Sequence, residues 1–219
     1  MRSLSPRPLW FAILGALVLP AVSVAESLTI TVLEEDTSQP VEGAVVTLPG
    51  ANAPSPGTFT IAQEDRAFQP GVLVIPAGSE VNFPNRDNTQ HHVYSFSSAK
   101  TFDIELYAGE PESPIHFDQS GIVEIGCNIH DHMQGFILVT DRPHYGRTDA
   151  NGEVVFERAS GGSSQSLNAG IWHPRLTETG RFLHHSFTPG DEPRIAIALE
   201  AEAEGGDELD QLQQEFQDL

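Results

Sequence analysis

Short runs in which apolar and polar residues alternate, or in which β-branched residues cluster, recur along most of the chain. They are LTITVLEE, GAVVTL, GVLVIPAGSEVNF, HHVYSFS, TFDIELY, GIVEIGC, GFILVTD, GEVVFER and RIAIALEAE. A two-residue period turns successive side chains to opposite faces of a strand. Gly, Pro, Asn and Asp residues separate the runs at short intervals and mark turns. The pattern predicts an all-β protein built of antiparallel sandwiches. Helical periodicity is confined to the tail, where DELDQLQQEFQDL puts Leu209, Leu212, Phe216 and Leu219 on one side of a short acidic amphipathic helix. That segment follows EGGD, so residues 204–219 are expected to be an appendage.

The N-terminus carries a different signal. Arg2 and Arg7 precede the apolar run LWFAILGALVLPAV, which ends in the small residues SVA before Glu26. A basic start, a short apolar stretch and a small-residue boundary describe a cleaved export signal over residues 1–25. The expected location is the periplasm or the exterior. The run is short for a bilayer span and no later segment rivals it, so no stable membrane insertion is expected after cleavage.

Cleavage leaves about 194 residues, enough for one large or two small domains. The chain has 31 acidic and 11 basic residues, two of the latter lying in the leader, and Lys100 is its sole lysine. Such a surface repels nucleic acid and anionic lipid and favours basic partners or a saline surrounding.

Only one cysteine is present, which excludes an intramolecular disulfide. In an oxidising compartment a free thiol is a liability unless it is buried or bound to a metal. Cys127 is followed by His130 and Met133 in EIGCNIHDHMQGF. A thiolate, an imidazole and a thioether on one loop favour copper, and a trigonal His2Cys plane with a weak axial methionine defines a type 1 electron-transfer site. One short loop does not easily provide all four corners, so a second histidine is expected from a neighbouring strand.

Upstream, VNFPNRDNTQHHVYSFS contains Phe83, Asn85, Asp87 and His91 in the pattern F-x-N-x-D-x-x-x-H. This strand, the C-x2-H-x2-M loop and the GFILVTD strand that follows resemble the cupredoxin family, in its plastocyanin-like and amicyanin-like branch. The resemblance covers residues 59–141 and implies a Greek-key β-sandwich holding one type 1 copper through His91, Cys127, His130 and Met133. Where many relatives have asparagine after the first ligand histidine, this chain has His92. Alternation turns His91 and His92 to opposite faces, so one of them is expected to face the ion, and His91 is chosen. His132 is expected to be an exposed neighbour; His116, His144 and His173 have no ligand spacing, and His184 and His185 are assigned to an ordinary strand with one face in and one out.

The flanks differ from this central unit. PVEGAVVTL before it and TDANGEVVF after it resemble the two halves of a carboxypeptidase-regulatory-like or transthyretin-like sandwich, an immunoglobulin-like architecture. Residues 26–58 and 142–203 would then form a second small sandwich interrupted by the central unit at 59–141. Chain ends that lie close together tolerate such an insertion.

The resemblance implies single-electron transfer, with His130 as the exit port and Ile129 and Phe136 as apolar surface beside it. Asp131 there favours a basic partner, such as a c-type cytochrome or a dehydrogenase. An enzyme is not expected: further copper sites would need more histidine pairs, a binuclear centre two cysteines, and neither a nucleophile elbow nor a phosphate-binding glycine loop occurs. Two other roles share these residues. One is a periplasmic copper carrier or storage protein; the other is a surface-binding scaffold in which the flanking sandwich is the working part. Trp172 is read as core rather than as a binding platform.

Overall fold

The computed structural model describes residues 26–158, 166–188 and 190–201. The leader and the expected helix at 204–219 lie outside them. Among the described residues there is no helix; the chain is all-β, and no helix long and apolar enough to cross a membrane occurs.

Seventeen strands follow in order among the described residues. The first two are β1 (Glu26–Glu34) and β2 (Val45–Leu48). Next come β3 (Thr58–Thr60), β4 (Ala62–Glu64), β5 (Ala67–Gln69), β6 (Val72–Pro76), β7 (Ser79–Asn82) and β8 (His91–Ser97). Then follow β9 (Lys100–Tyr107), β10 (Ile115–Phe117), β11 (Gly121–Cys127) and β12 (Gln134–Thr140). The last are β13 (His144–Arg147), β14 (Glu153–Arg158), β15 (Leu167–Trp172), β16 (Leu183–Phe187) and β17 (Arg194–Ile197).

Strands from the two ends of the described chain interleave. One sheet has the order β14-β1-β17 and another β13-β2-β15-β16. Between them lie Leu28, Ile30, Val32, Val45, Ile171 and Trp172, all buried. The middle of the chain forms a five-stranded sheet, β6-β12-β11-β8-β9, a three-stranded sheet, β10-β7-β3, and the β4–β5 hairpin. Ile61, Phe68, Val81, Phe83, Val93, Phe117 and Ile137 fill the space that these enclose.

Strand β12 explains how the two halves meet. Its run GFILVT is buried at every position, because Ile137 and Val139 enter the central core while Phe136 and Leu138 point the other way into the flanking core. Burial on both faces replaces alternation with a continuous apolar run. Phe136 pairs with Val72 and Leu138 with Val74 across β6, and Ile122 of β11 faces the same way. The outer face of the five-stranded sheet is thus covered along β6, β12 and the start of β11. Phe136 meets Trp172 edge to face with ring centroids 4.9 Å apart.

The flanking sandwich does not extend over β8 and β9. There the same outer face carries His92, Tyr94 and Phe96 on β8 and Asp103 and Glu105 on β9. Phe96 is 80% exposed, the largest value among the exposed large apolar side chains.

Candidate metal centre

Antiparallel pairing brings distant residues to one end of the sheet. Strand β11 pairs with β8 so that Cys127, its last residue, lies opposite Val93, two residues past His91. The loop after Cys127 folds back on itself: the Met133 amide donates to the His130 carbonyl at 2.9 Å, and the Cys127 amide to the Met133 carbonyl at 3.2 Å. Three side chains consequently converge. Cys127 Sγ lies 3.6 Å from His91 Nδ1 and 3.6 Å from His130 Nδ1. All three donor atoms fall within 4.8 Å of one another, the one such group of three found among the described residues. His91, Cys127 and Met133 are buried, and His130 is half-buried.

The remaining nitrogen of His91 is fixed from behind. His91 Nε2 lies 2.8 Å from the Asp87 carboxylate, which also accepts the amides of Asp65 at 2.8 Å and Arg66 at 3.0 Å. Those amides belong to the two-residue turn joining β4 to β5, where Asp65 and Arg66 have φ of 55° and 56°. Positive φ at both central positions defines the tight hairpin turn that usually takes Asn-Gly. Here a carboxylate bridging two adjacent amides helps to offset the backbone cost. Burial opposes ionisation of Asp87, but the Arg66 amide, the His91 ring and the Asp65 amide outweigh it and hold the carboxyl below its usual range.

The loop between these groups is tied by Asn85. Its side chain accepts the Asp87 amide at 2.9 Å and donates to the carbonyls of Thr89 at 2.8 Å and Tyr107 at 3.0 Å. The Tyr107 hydroxyl sits between the Phe83 carbonyl and Gln63, and burial holds it protonated far above the usual phenol range. Several strands therefore set the position of one imidazole.

The donor atoms themselves indicate what belongs between them. With Nε2 directed at the Asp87 carboxylate, His91 presents its Nδ1 to the Cys127 sulfur. Partial burial, and then the nearby His91, Arg66 and His132, lower the affinity of His130 for a second proton against the opposing Asp87 carboxylate, which favours the neutral, metal-binding form. A single thiol proton cannot satisfy two imidazoles; a cation can. An ion bonded at about 2.3 Å to sulfur and about 2.0 Å to nitrogen would separate them by about 3.5 Å at a tetrahedral angle and about 3.7 Å at a trigonal one. The observed 3.6 Å separations lie between these values. The residues present fit a metal ion.

Other expected positions divide. His92 turns away from the cluster and pairs with Asp103, and a register shift between His91 and Val93 accompanies the change of face. His132 lines an open groove with Tyr94, Phe96, Glu124 and Asp131. His116 and His144 are exposed, and His173 is buried, its Nδ1 accepting the Arg175 amide. His184 and His185 are both exposed to solvent, as expected of histidines without a metal role, but not one in and one out, on β16 at the edge of its sheet. Ile129 is 45% exposed beside His130, whereas Phe136 is only 5% exposed. The expectation that Phe136 adds surface near His130 is therefore corrected: the flanking sandwich covers its side of β12. Trp172 is fully buried, its indole donating to the Thr179 carbonyl at 2.7 Å.

The open aromatic row on β8 and the clamp around Asp87 were not assigned roles from sequence. The i, i+2, i+4 spacing of His92, Tyr94 and Phe96 was a local signal for the first. Asp87 four residues before His91 was a partial signal for the second.

No family model and no curated protein matches the chain. Among solved structures, it is similar to a purple cupredoxin from Nitrosopumilus maritimus, at 20% identity over 37% of this chain and 98% of that one, with a TM-score of 0.33. It is similar to a reduced variant of amicyanin at 17% identity, over 43% of this chain and 98% of that one, with a TM-score of 0.36. A Cu-containing nitrite reductase from Thermus scotoductus SA-01 is 26% identical over 51% of this chain and 28% of that enzyme, with a TM-score of 0.36. The chain is thus similar to cupredoxins over about two fifths of its length.

Proposed function

We propose that this protein carries single electrons, with one copper ion held by His91, Cys127, His130 and Met133. The observation that carries the reading is the placement of two imidazole nitrogens at 3.6 Å from the chain's sole thiol, in a pocket walled by buried side chains. Thiolate, two imidazoles and a thioether form the donor set of a type 1 copper site rather than of an oxygen-ligand cation. A copper ion bound there supplies a one-electron Cu(I)/Cu(II) couple.

The protein's own contribution is to hold the donors still. His91 is clamped through Asp87, Cys127 is set by pairing with β8, and His130 and Met133 are fixed by the closed loop. Donors already gathered before the ion arrives need little rearrangement when its charge changes. Met133 is 2% exposed and belongs to the same buried cluster as Cys127. Such enclosure favours a resident redox ion over copper in transit, the reading as carrier or storage protein.

The apolar leader supports export to the periplasm or the exterior, and the strongly acidic composition supports a basic redox partner such as a c-type cytochrome or a dehydrogenase. Adding Cu(II) to the purified protein tests the site. Intense visible absorption from thiolate-to-copper charge transfer is expected, and a colourless Cu(II) complex would exclude it. Reduced protein mixed with an oxidised basic cytochrome then separates the roles. Rapid, salt-sensitive electron transfer with copper retained supports the electron carrier. Loss of Cu(I) to a weak chelator, with slow transfer, supports the copper carrier.

A further inference from the structure

The open part of the central sheet carries a second feature that the metal cluster does not use. On the outward face of β8, His92, Tyr94 and Phe96 stand in line, with ring centroids 5.9 Å apart for the first pair and 5.2 Å for the second. Phe96 is 80% exposed. Isolated exposed apolar residues are ordinary, but this row is continuous and lies on the part of the sheet that the flanking sandwich leaves uncovered.

Its inner side touches the strand that ends in the thiol. Tyr94 is the register partner of Gly126, the residue before Cys127. The Tyr94 ring occupies the space that a side chain at 126 would need: a Cβ there would lie 3.0 Å from Tyr94 Oη and 3.1 Å from Cζ. Glycine lets the ring rest on the Gly126 backbone. From the Tyr94 ring to Cys127 Sγ there is one through-space step, from ring to Gly126, and the rest is covalent. Electronic coupling falls much more steeply through space than through bonds, so a route with a single short gap is favourable.

The surroundings are anionic. Asp103, register partner of Tyr94, and Glu105 lie on β9; Glu124 and Asp131 border the groove beside Phe96, while Lys100 sits at the far end of the row. An exposed Phe96 beside half-buried Tyr94 and His92, rimmed by carboxylates, matches a protein surface with apolar contacts at its centre and Lys or Arg around it. Aromatic anchors provide contact area at small entropic cost, and charges of opposite sign steer the encounter.

We propose that the Tyr94–Phe96 face is the docking surface for a cationic one-electron redox protein, and that Tyr94 connects it to Cys127 through Gly126. The proposal rests on the electron-carrier reading above. One electron leaves the metal site and reduces the oxidised haem of the partner; no bond is made or broken and no proton moves.

The test uses a strongly basic c-type cytochrome and the full chain loaded with Cu(I). With the cytochrome reduced, no electron can flow and binding alone is read, by calorimetry and by amide shifts. Shifts are expected along β8, β9 and β11. Phe96→Ser combined with Glu124→Gln should weaken low-salt binding about tenfold, while Ile129→Ser, beside His130, should leave it nearly unchanged. With the cytochrome oxidised, Tyr94→Leu should slow electron transfer within the saturated complex, and the unchanged visible spectrum of its Cu(II) form should show an intact site.

Shifts centred on residues 128–132, with binding lost in Ile129→Ser instead, would overturn the proposal, as would absence of binding to the unaltered protein. The two readings fail differently. Fast reduction of the cytochrome by both the unaltered protein and the Phe96→Ser, Glu124→Gln variant removes the docking face and leaves the electron carrier. Shifts confined to β8 and β9 without electron transfer support the docking face and remove the electron carrier.

Discussion

Asp87 holds His91 from the side opposite Cys127: its carboxylate lies 2.8 Å from His91 Nε2, while His91 Nδ1 lies 3.6 Å from the Cys127 sulfur. A carboxylate behind a ligating imidazole fixes the tautomer and ring angle and makes the nitrogen facing the ion more basic. Its negative charge also favours the more positive oxidation state of a bound metal. Asp87→Asn retains hydrogen-bonding atoms but removes that charge. The variant is expected to bind copper roughly 10–100-fold more weakly and to have a higher reduction potential. Chelator competition and potentiometric titration measure the two effects, and an unchanged potential would show that Asp87 only positions the ring.

Removing either sulfur separates the two sulfur roles. Cys127→Ser should abolish the visible charge-transfer band, because an alcohol oxygen cannot replace a thiolate as its source. Met133→Leu conserves volume at a position 2% exposed, a change that usually costs less than about 1.5 kcal/mol. It should keep the band and raise the potential, as expected on removing a weak axial donor. Loss of copper from a folded Met133→Leu protein would mean that the thioether holds the ion rather than tuning it.

How much of this centre can be read along the chain depends on the distance over which each constraint acts. Cys127, His130 and Met133 sit within seven residues, and their donor chemistry is visible without a fold. His91 needed a strand register in addition, because alternation separates it from His92. The grip on Asp87 is hidden because half of it comes from the amides of Asp65 and Arg66, whose turn sequence carries no glycine to announce positive φ. The continuous run GFILVTD marked a strand, but not that a second sandwich would bury its outer face and take Phe136 off the surface. Likewise, the exposure of both His184 and His185 follows from the edge position of β16, a property of strand order rather than of local sequence.

The contact between Phe136 and Trp172 predicts coupled unfolding. Trp10 lies in the expected leader, so after cleavage Trp172 is the sole tryptophan and its emission reports the flanking core. Strand β12 contributes to both cores, so neither can lose it alone. Tryptophan emission and the visible band of the copper-loaded protein should therefore change at the same denaturant concentration, which is the test of a single transition. Trp172→Ala removes a fully buried ring and is expected to destabilise the protein by about 3–5 kcal/mol. The visible band follows unfolding in this variant, and its midpoint should fall accordingly. Two well-separated transitions in the unaltered protein would show that the flanking and central sandwiches are independent.

Acid should weaken the flanking sandwich through Asp149. Its carboxylate accepts the amides of Asn151 and Glu153, each at 2.9 Å, closing the turn that leads into β14. The Glu153 amide is the largest influence, burial opposes it, and the Asn151 contacts add to it; together they hold the Asp149 pKa below the ordinary 3.8. The folded state thus favours the anion more than the unfolded state does. The resulting stability is complete above the ordinary pKa and disappears as pH falls through the lower folded value. Asp149→Ala should accordingly lower the thermal midpoint at neutral pH. On acidification the gap between it and the unaltered protein should narrow, because protonation removes from the native aspartate the same charge-assisted bonds that the substitution deletes. Thermal melts of the metal-free proteins at several pH values measure that gap, and a gap constant down to strong acid would show that the turn depends on side-chain shape rather than charge.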